Sequence, residues 1–276
     1  MLRKMLKYDM RAFRRVAIAL TIVSLLAAAL GGAAMSISEL YDNIEGYELI
    51  TSSAGLLGIF CVISIIVVTV VLSFMPFVRF YKNLFTDEGY LTFTLPIRRQ
   101  DILLSKTLSN FLSLLYAVVL LFASMIVMGV VGTLISPPLA TPPSYDDPAV
   151  IEIHWILGYL VLILILSLVS LLFQICVVQL CITLGAVLVR RAKIIVAIAI
   201  YYGINMGLQF IAQFVAIFVT LFFGDSALNI FANLTIDQMH LMFYGLLILA
   251  SLVVFIFALI FYNINKKVLL KKLNLS

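Results

Sequence analysis

Six long apolar stretches dominate this sequence, and they constrain the fold more than any other feature. They are residues Val16–Met35, Ala54–Val78, Ile102–Ile135, Ile153–Val189, Ile194–Phe223 and His240–Tyr262. A helix needs about 20 apolar residues to cross a hydrocarbon layer about 30 Å thick. Spanning β-strands would instead appear as alternating segments of about ten residues. The sequence therefore predicts an all-α membrane protein with six transmembrane helices.

The composition supports this class. Charged residues make up 11% of the 276 residues, whereas soluble proteins contain about 25%. The fourth stretch is too short for two crossings of about 20 residues each with a turn between them. We therefore interpret Ile153–Val189 as one long, tilted helix.

The distribution of charge predicts the orientation of the helices. With six crossings, all 18 Lys and Arg residues fall on one side of the membrane, in the segments Arg3–Arg15, Arg79–Lys106, Arg190–Lys193 and Lys266–Lys272. Of the 13 acidic residues, only Asp9, Asp87, Glu88 and Asp101 share that side. Basic residues near helix ends favour the cytoplasm. Both termini and segment 79–106 are therefore predicted to be cytoplasmic, and the net charge of +5 indicates lipid headgroups rather than nucleic acid as a partner.

The first 15 residues have the pattern of an amphipathic helix. Apolar residues gather on one side and six basic residues lie mostly on the other. Such a helix is typical of the membrane interface, so we predict an interface helix at 1–15 and a single six-helix domain at 16–276. The alternative is a cleaved signal peptide. Its apolar region is usually 7–15 residues, shorter than the first stretch here.

Several kinds of chemistry find no support in the sequence. Away from their ends, the apolar stretches contain no charged residue or histidine, and such residues usually mark proton relays and ion pathways. There is no phosphate-binding loop, zinc-protease motif or nucleophile elbow. Cys61, Cys176 and Cys181 lie within apolar stretches without metal-ligand spacing. We therefore expect no enzymatic activity, metal or cofactor on this chain.

Uncharged polar residues remain within the apolar stretches. On the fifth stretch they recur every four residues, and two more lie in the middle of the fourth. They are Tyr201, Asn205, Gln209 and Gln213, with Gln174 and Gln179. Residues four apart share a helix face. They could face a substrate path, or they could form hydrogen bonds between helices, and both interpretations remain open.

Segment 79–106 is the longest charged interruption. It carries five basic and three acidic residues together with Phe80, Tyr81, Phe85, Tyr90 and Phe93. The aromatic side chains could lie among lipid headgroups as an interfacial belt. Alternatively they could dock on a cytosolic protein, because aromatic anchors beside charges are typical of binding hot spots.

Within this segment, DEGYLTFTLPIRRQDILLSK resembles the loop between the second and third spans of ABC-2 type permeases, the membrane subunits of a class of bacterial ABC exporters. The residues that carry the resemblance are Glu88, Thr94, Leu95, Pro96, Arg98, Arg99, Ile102, Leu103, Ser105 and Lys106. Six spans, cytoplasmic termini and an amphipathic first segment are also similar. Arg98 departs from the pattern, because a Ser or similar helix cap is expected there.

The resemblance implies a permease in the bacterial plasma membrane that is driven by a separate cytosolic ATPase subunit, which binds ATP and Mg²⁺. A second permease copy, identical or related, would help to enclose the substrate path. The coupling helix would lie at 87–95, with Asp87, Glu88, Tyr90, Leu91, Phe93 and Leu95 contacting the ATPase. The alternative is a membrane scaffold or sensor subunit that docks a cytosolic protein without transport. An intramembrane enzyme is the third hypothesis.

Overall fold

The computed structural model describes residues 2–41, 46–86, 99–135, 153–189 and 192–272. Within them the chain forms six helices: α1 (Leu2–Tyr41), α2 (Glu48–Phe85), α3 (Arg99–Ile135), α4 (Ile153–Leu188), α5 (Lys193–Asn233) and α6 (Ile236–Lys272). Each is long and apolar enough to cross a membrane. The prediction of an all-helical chain with six such helices is confirmed, and the fourth stretch is one helix as expected.

The amino-terminal segment and the first apolar stretch belong to the same helix. α1 runs without interruption from Leu2 to Tyr41, so the six basic residues of the segment lie on the same helix as the apolar stretch that follows. The position of residues 2–15 in the membrane interface and the cytoplasmic side of the termini stay predictions.

The helices group into two compact units, Met1–Asp147 and Pro148–Ser276. The first contains α1, α2 and α3, and the second contains α4, α5 and α6. The prediction of one domain over 16–276 concerns the assembly of these units and stays a prediction.

In the first unit, α1 and α3 run parallel and in contact. The Thr21 hydroxyl lies 2.5 Å from the Tyr116 hydroxyl, and farther along both helices Ser36 Oγ donates to the Gly132 carbonyl at 2.9 Å. Gly32 permits this packing, because a Cβ at its position would collide with the main-chain carbonyl oxygen of Met128. A close approach of this kind is typical of membrane helices.

α2 runs in the opposite direction beside α1. At one end Arg79 hydrogen-bonds to the main chain of Asp9, and at the other Ser38 Oγ donates to the Thr51 carbonyl at 3.1 Å. The buried core between the helices is apolar, with Phe13, Ala17, Val68, Leu72, Ala117 and Leu120 at its centre.

In the second unit the three helices have the same relative directions as in the first: the first and third are parallel, and the middle one is antiparallel. α4 and α6 run parallel, since Tyr159 contacts His240 near their starts and Thr183 contacts Asn265 near their ends. α5 returns antiparallel to α4, and Gly185 of α4 allows the close approach of Ala197.

Much of the apolar surface faces outward. All residues of α5 from Gln209 to Phe222 are exposed, and large exposed apolar side chains occur on every helix. A helix satisfies its main-chain hydrogen bonds internally, so such surfaces are stable in lipid.

Candidate functional site

The residues predicted to contact an ATPase lie outside the described part of the chain. Asp87, Glu88, Tyr90, Leu91, Phe93 and Leu95 all fall in 87–98, between the end of α2 and the start of α3. What the structure does describe is how the two flanking helices are held.

The flanks themselves are ordinary helix ends. Thr86 follows α2 in an extended conformation, and its hydroxyl donates to the Lys82 carbonyl, which satisfies one of the last carbonyls of the helix. Asp101 lies in the first turn of α3, where the helix dipole favours a negative charge.

An ion pair ties α1 to α3 just beyond these ends. Lys106 Nζ lies 2.7 Å from Asp9 Oδ1 and 2.8 Å from Asp9 Oδ2. The Lys106 side chain is 8% exposed and that of Asp9 is 20% exposed. Because the lysine is buried, its charge depends on this carboxylate for compensation.

Arg79 ties α2 to the same turn of α1. Its guanidinium donates to the Asp9 carbonyl at 3.3 Å and to the Ala12 carbonyl at 2.5 Å, and it lies 6.0 Å from the centre of the Phe13 ring. One turn of α1 therefore contacts both helices that flank residues 87–98.

A small cavity lies among these groups. It has a volume of about 10 Å³ and is lined by residues that include Asp9, Arg79, Lys106 and Asn110, which is room for about one water molecule. Asn110 is 4% exposed, and its Nδ2 has no hydrogen-bond partner among the described residues. We call Asp9, Arg79, Lys106 and Asn110 the Asp9 cluster.

No motif in the sequence marks the four residues of the Asp9 cluster as a site. One sequence feature could have indicated the Asp9 cluster. Asp9 is the only acidic residue among the first 15. At 100° per residue, it lies on the opposite side of the helix from the basic residues of α1. A lone acid on the other side of a basic helix needs a cation from elsewhere in the fold.

The residues of the predicted polar stripe have different surroundings in the structure. The Tyr201 hydroxyl contacts Gln174 Oε1 of α4 at 3.4 Å, whereas Asn205 Nδ2 donates to the Tyr201 carbonyl of its own helix at 2.9 Å. Gln209 and Gln213 are exposed. Residues four apart drift by about 40° per step on a helix, so the stripe turns away from α4 as it proceeds.

The other predicted residue of α4 lies elsewhere. Gln179 is fully buried, and its main-chain carbonyl accepts a hydrogen bond from the Thr183 hydroxyl. Thr183 Oγ1 also lies 2.7 Å from Asn265 Oδ1 of α6, and Thr183 and Asn265 are buried too. On α4, Gln174 thus contacts α5, whereas Thr183, one turn after Gln179, contacts α6.

An aromatic cluster joins α4 and α6 at their starts. The Trp155 and His240 rings are stacked with centroids 4.8 Å apart, and Tyr159 Oη lies 2.9 Å from His240 Nδ1. The Tyr244 hydroxyl donates to the Trp155 carbonyl at 2.8 Å. It packs directly on Gly158, where a Cβ would collide with it.

No protein-family model, curated protein or solved structure matches this chain.

Proposed function

We propose that this protein is the membrane-spanning permease subunit of an ABC exporter, driven by a separate ATP-hydrolysing subunit. Two features support the proposal: six helices long and apolar enough to cross a membrane, and the resemblance of residues 87–106 to the corresponding loop of ABC-2 type permeases. The chain lacks a phosphate-binding loop, so in this scheme ATP and Mg²⁺ bind to the partner.

The structural observation that bears most on how such a subunit would transmit movement is the Asp9 cluster. Arg79 lies within two turns of the end of α2, and Lys106 lies within two turns of the start of α3. Both contact the same turn of α1. A displacement of the segment that joins α2 and α3 would therefore move three helices together rather than two.

In this scheme the segment 87–95 is the coupling helix. Tyr90, Leu91 and Phe93 would fill a cleft on the ATPase, because buried aromatic and aliphatic anchors supply most of the binding energy in such contacts. Asp87, Glu88 and Leu95 would complete the contact. ATP-driven closure of the partner would push the segment, and α2 and α3 would carry the movement into the membrane.

The remaining assignments follow from this scheme. The termini and the coupling segment lie in the cytoplasm, residues 1–15 lie in the interface, and the membrane is the bacterial plasma membrane. A second permease copy helps to enclose the substrate path. Gln209 and Gln213 remain candidates for that path, since they are exposed polar residues on a helix whose other exposed residues from Phe210 to Phe222 are mostly apolar.

Reconstitution with an ATPase tests the proposal. The protein is co-expressed with any chain encoded beside it that carries a phosphate-binding loop, the complex is purified, and ATP hydrolysis is measured in lipid vesicles with and without the permease. We expect the permease to alter the hydrolysis rate. The double variant Tyr90→Ala/Phe93→Ala should abolish that effect while its thermal unfolding stays unchanged.

A matched control is Tyr8→Ala, which removes an aromatic residue that is 67% exposed on α1 and should leave coupling intact. Normal coupling by the double variant would refute the docking role of the segment. A neighbouring gene that encodes a kinase or regulator, with no associated ATPase, would favour the scaffold or sensor function instead.

A further inference from the structure

The basic residues of α1 form one continuous stripe. Lys4, Lys7, Arg11 and Arg14 follow each other at intervals of three or four residues, so they fall within a sector of about 80° of the helix. All four are exposed. A stripe of this length needs anions to balance it.

The only acid of this segment does not supply that balance. Asp9 lies on the opposite side of α1 and is engaged by Lys106, with both carboxylate oxygens within 2.8 Å of Nζ. The described contacts of the stripe include no ion pair with a carboxylate. Among the described residues, the stripe is therefore left positive.

A groove lies beside the stripe. Its volume is about 430 Å³, and it is lined by three cations and by apolar or aromatic residues: Lys7, Arg11 and Arg14, with Met10, Phe13, Ala17, Ile18 and Tyr116. A second groove of about 510 Å³ shares Lys7 and Met10 and extends past Lys4 and Arg3. Charge and apolar surface are thus adjacent along α1.

Contacts between α1 and α3 hold the aromatic side chains that line the groove. The Tyr116 and Phe13 rings pack edge to face, with centroids 5.8 Å apart, and the Tyr116 hydroxyl is held by Thr21 at 2.5 Å. Phe13 and Ala17 are buried. The apolar part of the groove is therefore built by the contact between α1 and α3 and does not depend on flexible side chains alone.

We propose that this groove binds an anionic phospholipid. Lys7, Arg11 and Arg14 hold the phosphate, and an acyl chain follows the exposed Ile18 along the apolar part of α1. A soluble anion would use the cations and leave the apolar part uncovered, whereas a phospholipid uses both. The site stands whether or not the protein is a permease.

Native mass spectrometry of the full-length protein in detergent tests this site. The protein is titrated with dioleoyl phosphatidylglycerol and with dioleoyl phosphatidylcholine. We expect about tenfold or stronger preference for the anionic lipid, since each cation near an anionic surface contributes to binding. Equal binding of the two lipids by the unaltered protein would overturn the proposal without any variant.

Variants then locate the site. Lys7→Gln/Arg11→Gln/Arg14→Gln should lose that preference. The control Lys82→Gln/Lys266→Gln/Lys267→Gln removes the same charge away from the groove and should retain the preference. Equal losses in both variants would mean a general charge effect and would overturn the site.

Competition distinguishes a lipid from a soluble anion. Inorganic phosphate and dihexanoyl phosphatidylglycerol should displace the long-chain lipid poorly, because they lack an acyl chain that fills the apolar part. Full displacement by inorganic phosphate would show a simple anion site and would contradict the proposed role of Ile18 and the apolar part of the groove.

Discussion

Asp9 and Lys106, 97 positions apart in the sequence, form a two-pronged ion pair in which Nζ lies 2.7 and 2.8 Å from the two carboxylate oxygens. The lysine is almost fully buried and the aspartate is mostly buried. Neither group would be stable there as an isolated charge, so each requires the other, and α1 is held against α3 in one register.

The first prediction concerns this pair. Asp9→Asn should lower the free energy of unfolding by about 3 kcal/mol, because removal of one partner leaves an uncompensated buried charge. Unfolding of the purified variant in mixed detergent micelles measures the loss. Asp237→Asn is the matched control, since Asp237 is exposed in the first turn of α6 and should contribute about 1 kcal/mol or less.

A double-mutant cycle completes that measurement. Asp9→Leu and Lys106→Met should each destabilise the protein, but Asp9→Leu/Lys106→Met should be more stable than the sum of these two single losses predicts, since an apolar pair needs no compensation. Strict additivity of the two changes would show that the two side chains do not interact.

The second prediction concerns the packing of α1 on α3. Gly32→Ala should destabilise the first unit by about 1–3 kcal/mol, the usual cost of overpacking, because its Cβ would meet the rigid main chain of Met128. Gly129→Ala is the control on α3, where a Cβ would meet nothing within 4 Å. Thermal unfolding of both variants in one detergent gives the comparison, and equal stability would contradict the observed approach.

The third prediction concerns the polar contact between α4 and α6. Thr183→Val should cost about 1 kcal/mol, in the range measured for hydrogen bonds between membrane helices, since it removes the hydroxyl that lies 2.7 Å from Asn265 Oδ1. Asn263→Leu should cost less, because Asn263 is exposed and donates within its own helix to the Leu259 carbonyl. The stability of each variant is compared by denaturant titration, and a larger loss for Asn263→Leu would refute the ranking.

The fourth prediction uses tryptophan emission. Trp155 is the only tryptophan, and it stacks on His240 next to the hydroxyl of Tyr244. Gly158→Ala should displace Tyr244 and shift the emission wavelength or intensity, because a Cβ at this position collides with the tyrosine. Gly245→Ala, which adds a Cβ in open space, should leave the spectrum unchanged; identical spectra for both variants would contradict the cluster.

The number of helices and their approximate extents could be predicted from the sequence because they follow from local properties. A run of about 20 apolar residues favours a spanning helix wherever it occurs. The helices α2 and α3 contain the whole of their predicted stretches, and α4 ends one residue before the predicted end at Val189. The single helix at Ile153–Leu188 followed from length alone. The resemblance that suggests a coupling role likewise belongs to the sequence, since residues 87–98 lie outside the described part.

Only the tertiary structure decided which polar groups meet. The spacing of four residues placed Tyr201, Asn205, Gln209 and Gln213 on a drifting face of one helix, but the contact of Tyr201 with Gln174 and the exposure of Gln213 depend on how α5 packs on α4. The pairing of Asp9 with Lys106 depends on the register of α1 against α3. That register is set by close packing, as at Gly32 against Met128, and the rotation of one helix against another is a property of the assembled fold rather than of either segment.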